Sequence, residues 1–133
     1  MENEIKQKVM EKVESCHFFQ YLGIHISSVQ PGEVIAEVPV KKEFTQQLGM
    51  VHGGFIATLA DSVAGFSALS LMPAEKHVVT VELKVSFLRA VKGQKIKAIG
   101  KVIKPGSRLH FCEVEVWSDD ALCAKVSATM MVV

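Results

Sequence analysis

The stretch MVHGGFIATLADS, residues 50–62, decides how the chain is read, because it sets a histidine and two glycines before an apolar run and then places an aspartate inside that run. Extended to residue 71, it carries Ile56, Leu59, Val63 and Phe66 on one line. Gly54, Ala57, Thr58, Asp61, Gly65 and Ala68 form a second line of small residues at steps of three and four. That spacing predicts a helix over residues 53–71, opened by His52-Gly53-Gly54 and enclosed by the rest of the domain. Glycines at a helix start expose backbone N–H groups that have no intrahelical acceptor, a place where negative charge is stabilised. Two glycines also permit a tight turn, and a histidine there can simply satisfy a loop carbonyl, so the triplet alone leaves both readings open. Asp61 lies about two turns inside the segment, too far for capping, and an unpaired carboxylate buried there would cost several kcal/mol. Either a structural network satisfies it or it is kept for chemistry.

Outward from this helix the period changes to two. HVVTVELKVSFL alternates Val79, Val81, Leu83, Val85 and Phe87 against Thr80, Glu82, Lys84 and Ser86, the pattern of a half-buried strand. Lys92-Gly93, Pro105-Gly106 and Ser118-Asp119-Asp120 then separate three further strands, which predicts an antiparallel meander of four. Upstream, GIHISSVQPGEVIAEVPV reads as two extended runs turned at Pro31-Gly32, with Val34, Ala36, Val38 and Val40 on one face. Residues 2–18 mix charge with Ile5, Val9, Met10 and Val13, an amphipathic helix. One long helix before a broad antiparallel sheet of five or six strands is an α+β design in which the sheet wraps the helix.

The 133 residues fit one domain, and a chain of this size gains stability from self-association. Lys and Arg number 15 against 14 Asp and Glu, so no excess of charge points to nucleic acid. Three scattered cysteines read as reduced thiols, and no run of 18 apolar residues points to a membrane, so a cytoplasmic protein is expected. Metal binding would require His52 and Asp61 to converge with His77 or His110, and no ligand spacing suggests it. GxSxG, Walker A and dinucleotide motifs do not occur. An acid beside an anion-stabilising helix terminus suggests acyl transfer or hydrolysis.

The order of elements, together with GMVHGGFIATLADSVAGFSA and the downstream VTVELKVSFLRAVKG, resembles the PaaI-like acyl-CoA thioesterases of the hotdog fold over residues 20–133, with residues 1–18 as a helical extension. The resemblance implies a central helix wrapped by a curved antiparallel sheet, homodimers that pair further into tetramers, and active sites at the dimer interface. It implies that Gly53 supplies an oxyanion N–H, His52 orients the loop or thioester, and Asp61 of the partner chain acts as nucleophile or base. Gln46 stands where the family has an asparagine, and Thr80 matches the hydroxyl that assists the water. Coenzyme A, part of the substrate and not a separate cofactor, would be met by Arg89, Lys92, Lys104, Ser107 and Arg108. The acyl group, aromatic or medium to long-chain, would lie near Val51, Phe55, Phe66 and Val79. Fold relatives that hydrate or dehydrate acyl thioesters place acids where this chain has Gln47 and Phe66, which leaves a noncatalytic acyl-CoA or lipid binder as the main alternative.

Overall fold

A computed structural model describes residues 2–133. The chain begins with helix α1 (Glu2–Ser15) and a short helix α2 (His17–Tyr21), followed by strands β1 (His25–Gln30) and β2 (Glu33–Pro39). Helix α3 (Gly53–Leu69) precedes strands β3 (Val78–Phe87), β4 (Lys95–Lys104), β5 (Leu109–Ser118) and β6 (Ala121–Val132). The six strands form one antiparallel sheet in the order β1-β2-β4-β5-β6-β3. Its inner face wraps α3, which is the hotdog arrangement.

Packing follows from the apolar spacing. Leu59, Ala60, Val63 and Ala64 are fully enclosed between α3 and the inner residues of the sheet, among them Val34, Ala36, Ala98, Val114 and Val126. Gly100 lets the centre of the sheet approach the helix: a Cβ there would lie 2.6 Å from Val63 Cγ1 and 2.8 Å from Ser67 Oγ. The outer face is polar, with Glu33 and Lys101 paired across strands and Lys125 held between Glu113 and Glu115.

Three expectations change. Residues 2–18 form two helices, because Cys16 is extended (φ −85°, ψ 95°) and its carbonyl accepts the Gln20 N–H, which starts α2. Val9 and Val13 bury α1 against the core, while Lys8 Nζ donates to the Ser70 and Met72 carbonyls just beyond the C-terminal end of α3. A cation is favoured at that end of a helix.

Second, β3 does not form a hairpin with β4. It pairs with β6 at the edge of the sheet, and residues 88–94 cross to the other side, with Leu88 and Arg89 donating to Cys123 O, Val91 O accepting from Val51, and Gln94 O accepting from Val40. The meander therefore runs only through β4, β5 and β6, and Lys92-Gly93 belongs to a crossover.

Third, β3 changes phase within its length. Thr80 pairs with Met130 and Glu82 with Thr129, so Val81 is an extra residue, a β-bulge. Val78 and Thr80 consequently share the inner face with Leu83, Val85 and Phe87, while Val79 and Val81 point outward, 46% and 57% exposed. Strict alternation placed Val79 inside and Thr80 outside.

Candidate active site

His52 caps α3. Its backbone is extended (φ −62°, ψ 134°), its Nδ1 accepts the Gly54 N–H at 2.8 Å, and its carbonyl accepts from Phe55 (3.0 Å) and Ile56 (3.3 Å). Of the first-turn donors this leaves the Gly53 N–H without an acceptor among the described residues. That group opens on a cleft of about 370 Å³ whose walls include Gln46, Met50, Phe87, Leu88 and Arg89. The glycines are explained by contact: a Cβ on Gly53 would lie 3.1 Å from the Phe87 ring, and one on Gly54 would lie 2.9 Å from His52 Nδ1. Gln46 Oε1 accepts from the N–H groups of Leu48 (2.6 Å) and Met50 (3.3 Å), holding a turn in which Gly49 has φ +86°. Its amide nitrogen donates no hydrogen bond among the described residues.

Asp61 lies eight residues further along α3, about 12 Å at 1.5 Å per residue. The carboxylate is half-buried rather than enclosed, because Ala57, Thr58, Asp61, Ser62 and Gly65 form a face of α3 that the sheet does not cover. Thr80 Oγ1 donates to Asp61 Oδ1 at 2.7 Å and also lies 3.5 Å from Met130 Sδ. The β-bulge at Val81 makes this hydrogen bond possible by turning Thr80 inward. Oδ2 takes no hydrogen bond among the described residues, and Asp61 lines a smaller cavity of about 180 Å³.

The remaining sequence-derived residues divide between two ends of the sheet. Arg89 and Lys92 follow β3 near Gly53, with Arg89 lining the cleft. Lys104, Ser107 and Arg108 are at the β4–β5 turn, and Arg108 O accepts from Val132, which pairs with the start of β3 at Val78. The length of β3, about 30 Å, separates the two groups. Of the expected acyl contacts, Phe66 reaches the Asp61 cavity, Phe55 stacks on Phe44 with ring centroids 3.9 Å apart, Val51 lines the Gly53 cleft and Val79 faces outward.

These two clusters lie on a conserved type of scaffold. Residues 48–125 match the Thioesterase superfamily. The chain belongs to the thioesterase superfamily. Human acyl-coenzyme A thioesterase 13 is 30% identical over 120 residues, spanning 87% of this chain and 84% of that protein. A thioesterase family protein from Silicibacter pomeroyi has a crystal structure that superposes with a TM-score of 0.92 at 33% identity, covering 97% of this chain and 98% of the other. The Escherichia coli PaaI protein shares the fold at a TM-score of 0.91 and 19% identity, over 99% of this chain and 95% of that one.

Other reactive groups in this thioesterase domain stand apart from the two clusters. Cys112 is enclosed beneath the sheet and burial pushes its thiol up to about 11, so it is protonated and inert at neutral pH. His110 is buried with Nδ1 unpartnered, and desolvation holds its pKa below the ordinary histidine value. Among the described residues, no three His, Cys, Asp or Glu side chains gather as a metal would require. None of the described helices is long and apolar enough to cross a membrane. Sequence reasoning found Arg89 but missed Phe87, Leu88, Ala90 and Val91 beside it, and Cys16 beside Asp61. The bulge left a signal, since Thr80 and Leu83 cannot face the helix together without an inserted residue.

Proposed function

We propose that the chain hydrolyses acyl-CoA thioesters at sites assembled between two copies. The observation that carries this reading is the separation within one chain of an unpaired helix-terminal donor, Gly53 N–H, from a carboxylate, Asp61, about 12 Å away. A donor to the oxyanion and a group attacking the same carbonyl must each lie about 3 Å from adjacent atoms, so one chain alone does not supply both.

Self-pairing along β3 would close the gap. This strand is a ten-residue edge with Val79 and Val81 exposed, an arrangement that favours pairing with another chain. Gly53 sits beside Phe87 at one end of β3, and Asp61 beside Thr80 near the other. A two-fold axis through the middle of an antiparallel β3–β3 pair would bring Gly53 of one copy towards Asp61 and Thr80 of the second. It would also bring Arg89 and Lys92 of one copy towards Lys104, Ser107 and Arg108 of the other. Those cations could then share the phosphates of coenzyme A, which neither group reaches alone.

In this mechanism the thioester oxygen rests on the Gly53 N–H, with the helix terminus stabilising its developing charge. Gln46 Nε2 helps to hold the substrate or the water. Asp61 of the second copy, oriented by Thr80, removes a proton from an attacking water, or attacks the carbonyl itself to give a mixed anhydride that water then hydrolyses to the free acid. The thiol departs as thiolate; its pKa of about 8.5 relaxes the need for a strong general acid.

The test is release of free thiol from a panel of aromatic and aliphatic acyl-CoAs by the wild type and Asp61→Asn. The substitution should cut kcat at least ~100-fold while acyl-CoA still binds. A folded, oligomeric wild type that binds acyl-CoA and releases no thiol would make the chain a binder.

A further inference from the structure

We infer that Gly65 sets the size of the acyl group this site accepts, keeping open beside Asp61 a cavity that holds one aromatic ring or an aliphatic group of equal bulk. The inference rests on the thioesterase reading above.

Gly65 has no local reason to be glycine. It sits in the interior of α3, where glycine weakens a helix relative to alanine, and it is absent from the glycines with positive φ, which are Gly23, Gly32 and Gly49. A Cβ added there would meet only Val78 Cγ2, at 3.8 Å, an ordinary contact. The contrast with Gly53, Gly54 and Gly100 is direct, since added Cβ atoms there would come within 3.1, 2.9 and 2.6 Å of their neighbours. Packing within the chain therefore accounts for glycine at Gly100, crowds a side chain at Gly53 and Gly54, and leaves glycine unexplained at Gly65.

What the missing side chain leaves is space. Gly65 lies one turn beyond Asp61 on the same helix face and lines the 180 Å³ cavity with Cys16, Phe66, Val78 and Met130. Asp61, Thr80 and Ser62 form the polar part of this lining, and most of the remaining surface is apolar. An acyl thioester has the same division, a reacting carbonyl attached to an apolar body. With the carbonyl at Asp61, the body would run towards Gly65. An apolar cavity of about 150 Å³ accepts one benzene ring, so this one has room for a ring, whereas most of a long fatty chain would extend beyond it. Cys16 reaches the cavity from the joint between α1 and α2, so the N-terminal segment, which precedes the matched residues 48–125, contributes one wall.

The test compares kcat/KM for acetyl-, phenylacetyl- and decanoyl-CoA in wild type, Gly65→Ala, Gly65→Val and Cys16→Leu, with the oligomeric mass of each followed by light scattering. Wild type should prefer phenylacetyl over decanoyl. Gly65→Val should lower the phenylacetyl-to-acetyl ratio roughly tenfold or more, Gly65→Ala less, and Cys16→Leu, from the opposite wall, should move it in the same direction. Should Gly65→Val fail to fold, Gly65→Ala and Cys16→Leu carry the comparison. A loss equal for every acyl group overturns the inference, as does dissociation of the oligomer, which would make Gly65 a packing surface between copies. Failure of wild type to hydrolyse any of the three while the oligomer is intact overturns the thioesterase reading and this inference with it, an outcome visible before any variant is compared.

Discussion

In the proposed mechanism the beginning of α3 and its middle offer complementary halves of one chemistry by opposite means. At Gly53 the working group is backbone: an N–H left over after the His52 ring and carbonyl have taken the three that follow it. At Asp61 the working groups are side chains, a carboxylate and the threonine hydroxyl that holds it. A backbone donor survives most substitutions and depends on the loop that aims it, whereas a carboxylate is lost with one exchange. The two halves should therefore respond differently to mutation.

After Asp61→Asn, the largest expected loss comes from the other half. Gly53→Pro removes the N–H at the first helical position, where proline is tolerated, and the extended backbone of His52 already suits a following proline. Proline also adds a Cβ 3.1 Å from the Phe87 ring, so Gly53→Ala, which adds that Cβ and keeps the N–H, is the control. We expect kcat to fall by about 10²–10³-fold, the usual cost of an oxyanion donor, with the helix retained by circular dichroism. Mixing separately inactive Gly53→Pro and Asp61→Asn chains sharpens the comparison. If each site draws on two copies, a mixed dimer has one intact site, and after subunit exchange roughly a quarter of wild-type activity should return. No recovery despite exchange would place both groups of a site in the same chain.

Thr80→Val keeps the shape of the side chain and removes the hydrogen bond to Asp61. Its expected effect is about tenfold in kcat, comparable to a ~1.5 kcal/mol hydrogen bond to a charged group, with little change in KM. An unchanged kcat would make Thr80 an ordinary strand residue. The smallest effect lies outside both halves and separates loss of fold from loss of chemistry. Burial holds the pKa of His110 in the fold below its ordinary value, while the unfolded chain takes up a proton at about 6.5. Unfolding therefore binds protons, and stability falls as pH drops below that value. The Tm should decline from pH 7.5 to 5.5, and His110→Phe should flatten the decline.

Much of this was legible in one dimension. Helical and strand periods, the turn at Pro31-Gly32 and the His52-Gly53-Gly54 helix start depend on residues a few positions apart, and the structure retains them. The degree of burial of Asp61 was not legible, because an apolar helix surface does not say which of its faces the sheet will cover. The face of small residues remains partly open, and Asp61 is on it.

Local spacing determined the long helix, the strands, the donor terminus and the acid two turns on. Tertiary structure alone decided that β3 lies beside β6, that residues 88–94 cross to wall the Gly53 cleft, and that the bulge at Val81 turns Thr80 to Asp61. The physical reason is that these depend on which strand edge satisfies which backbone groups. Such pairings join residues as distant in sequence as Phe87 and Ala124, and no local period encodes them.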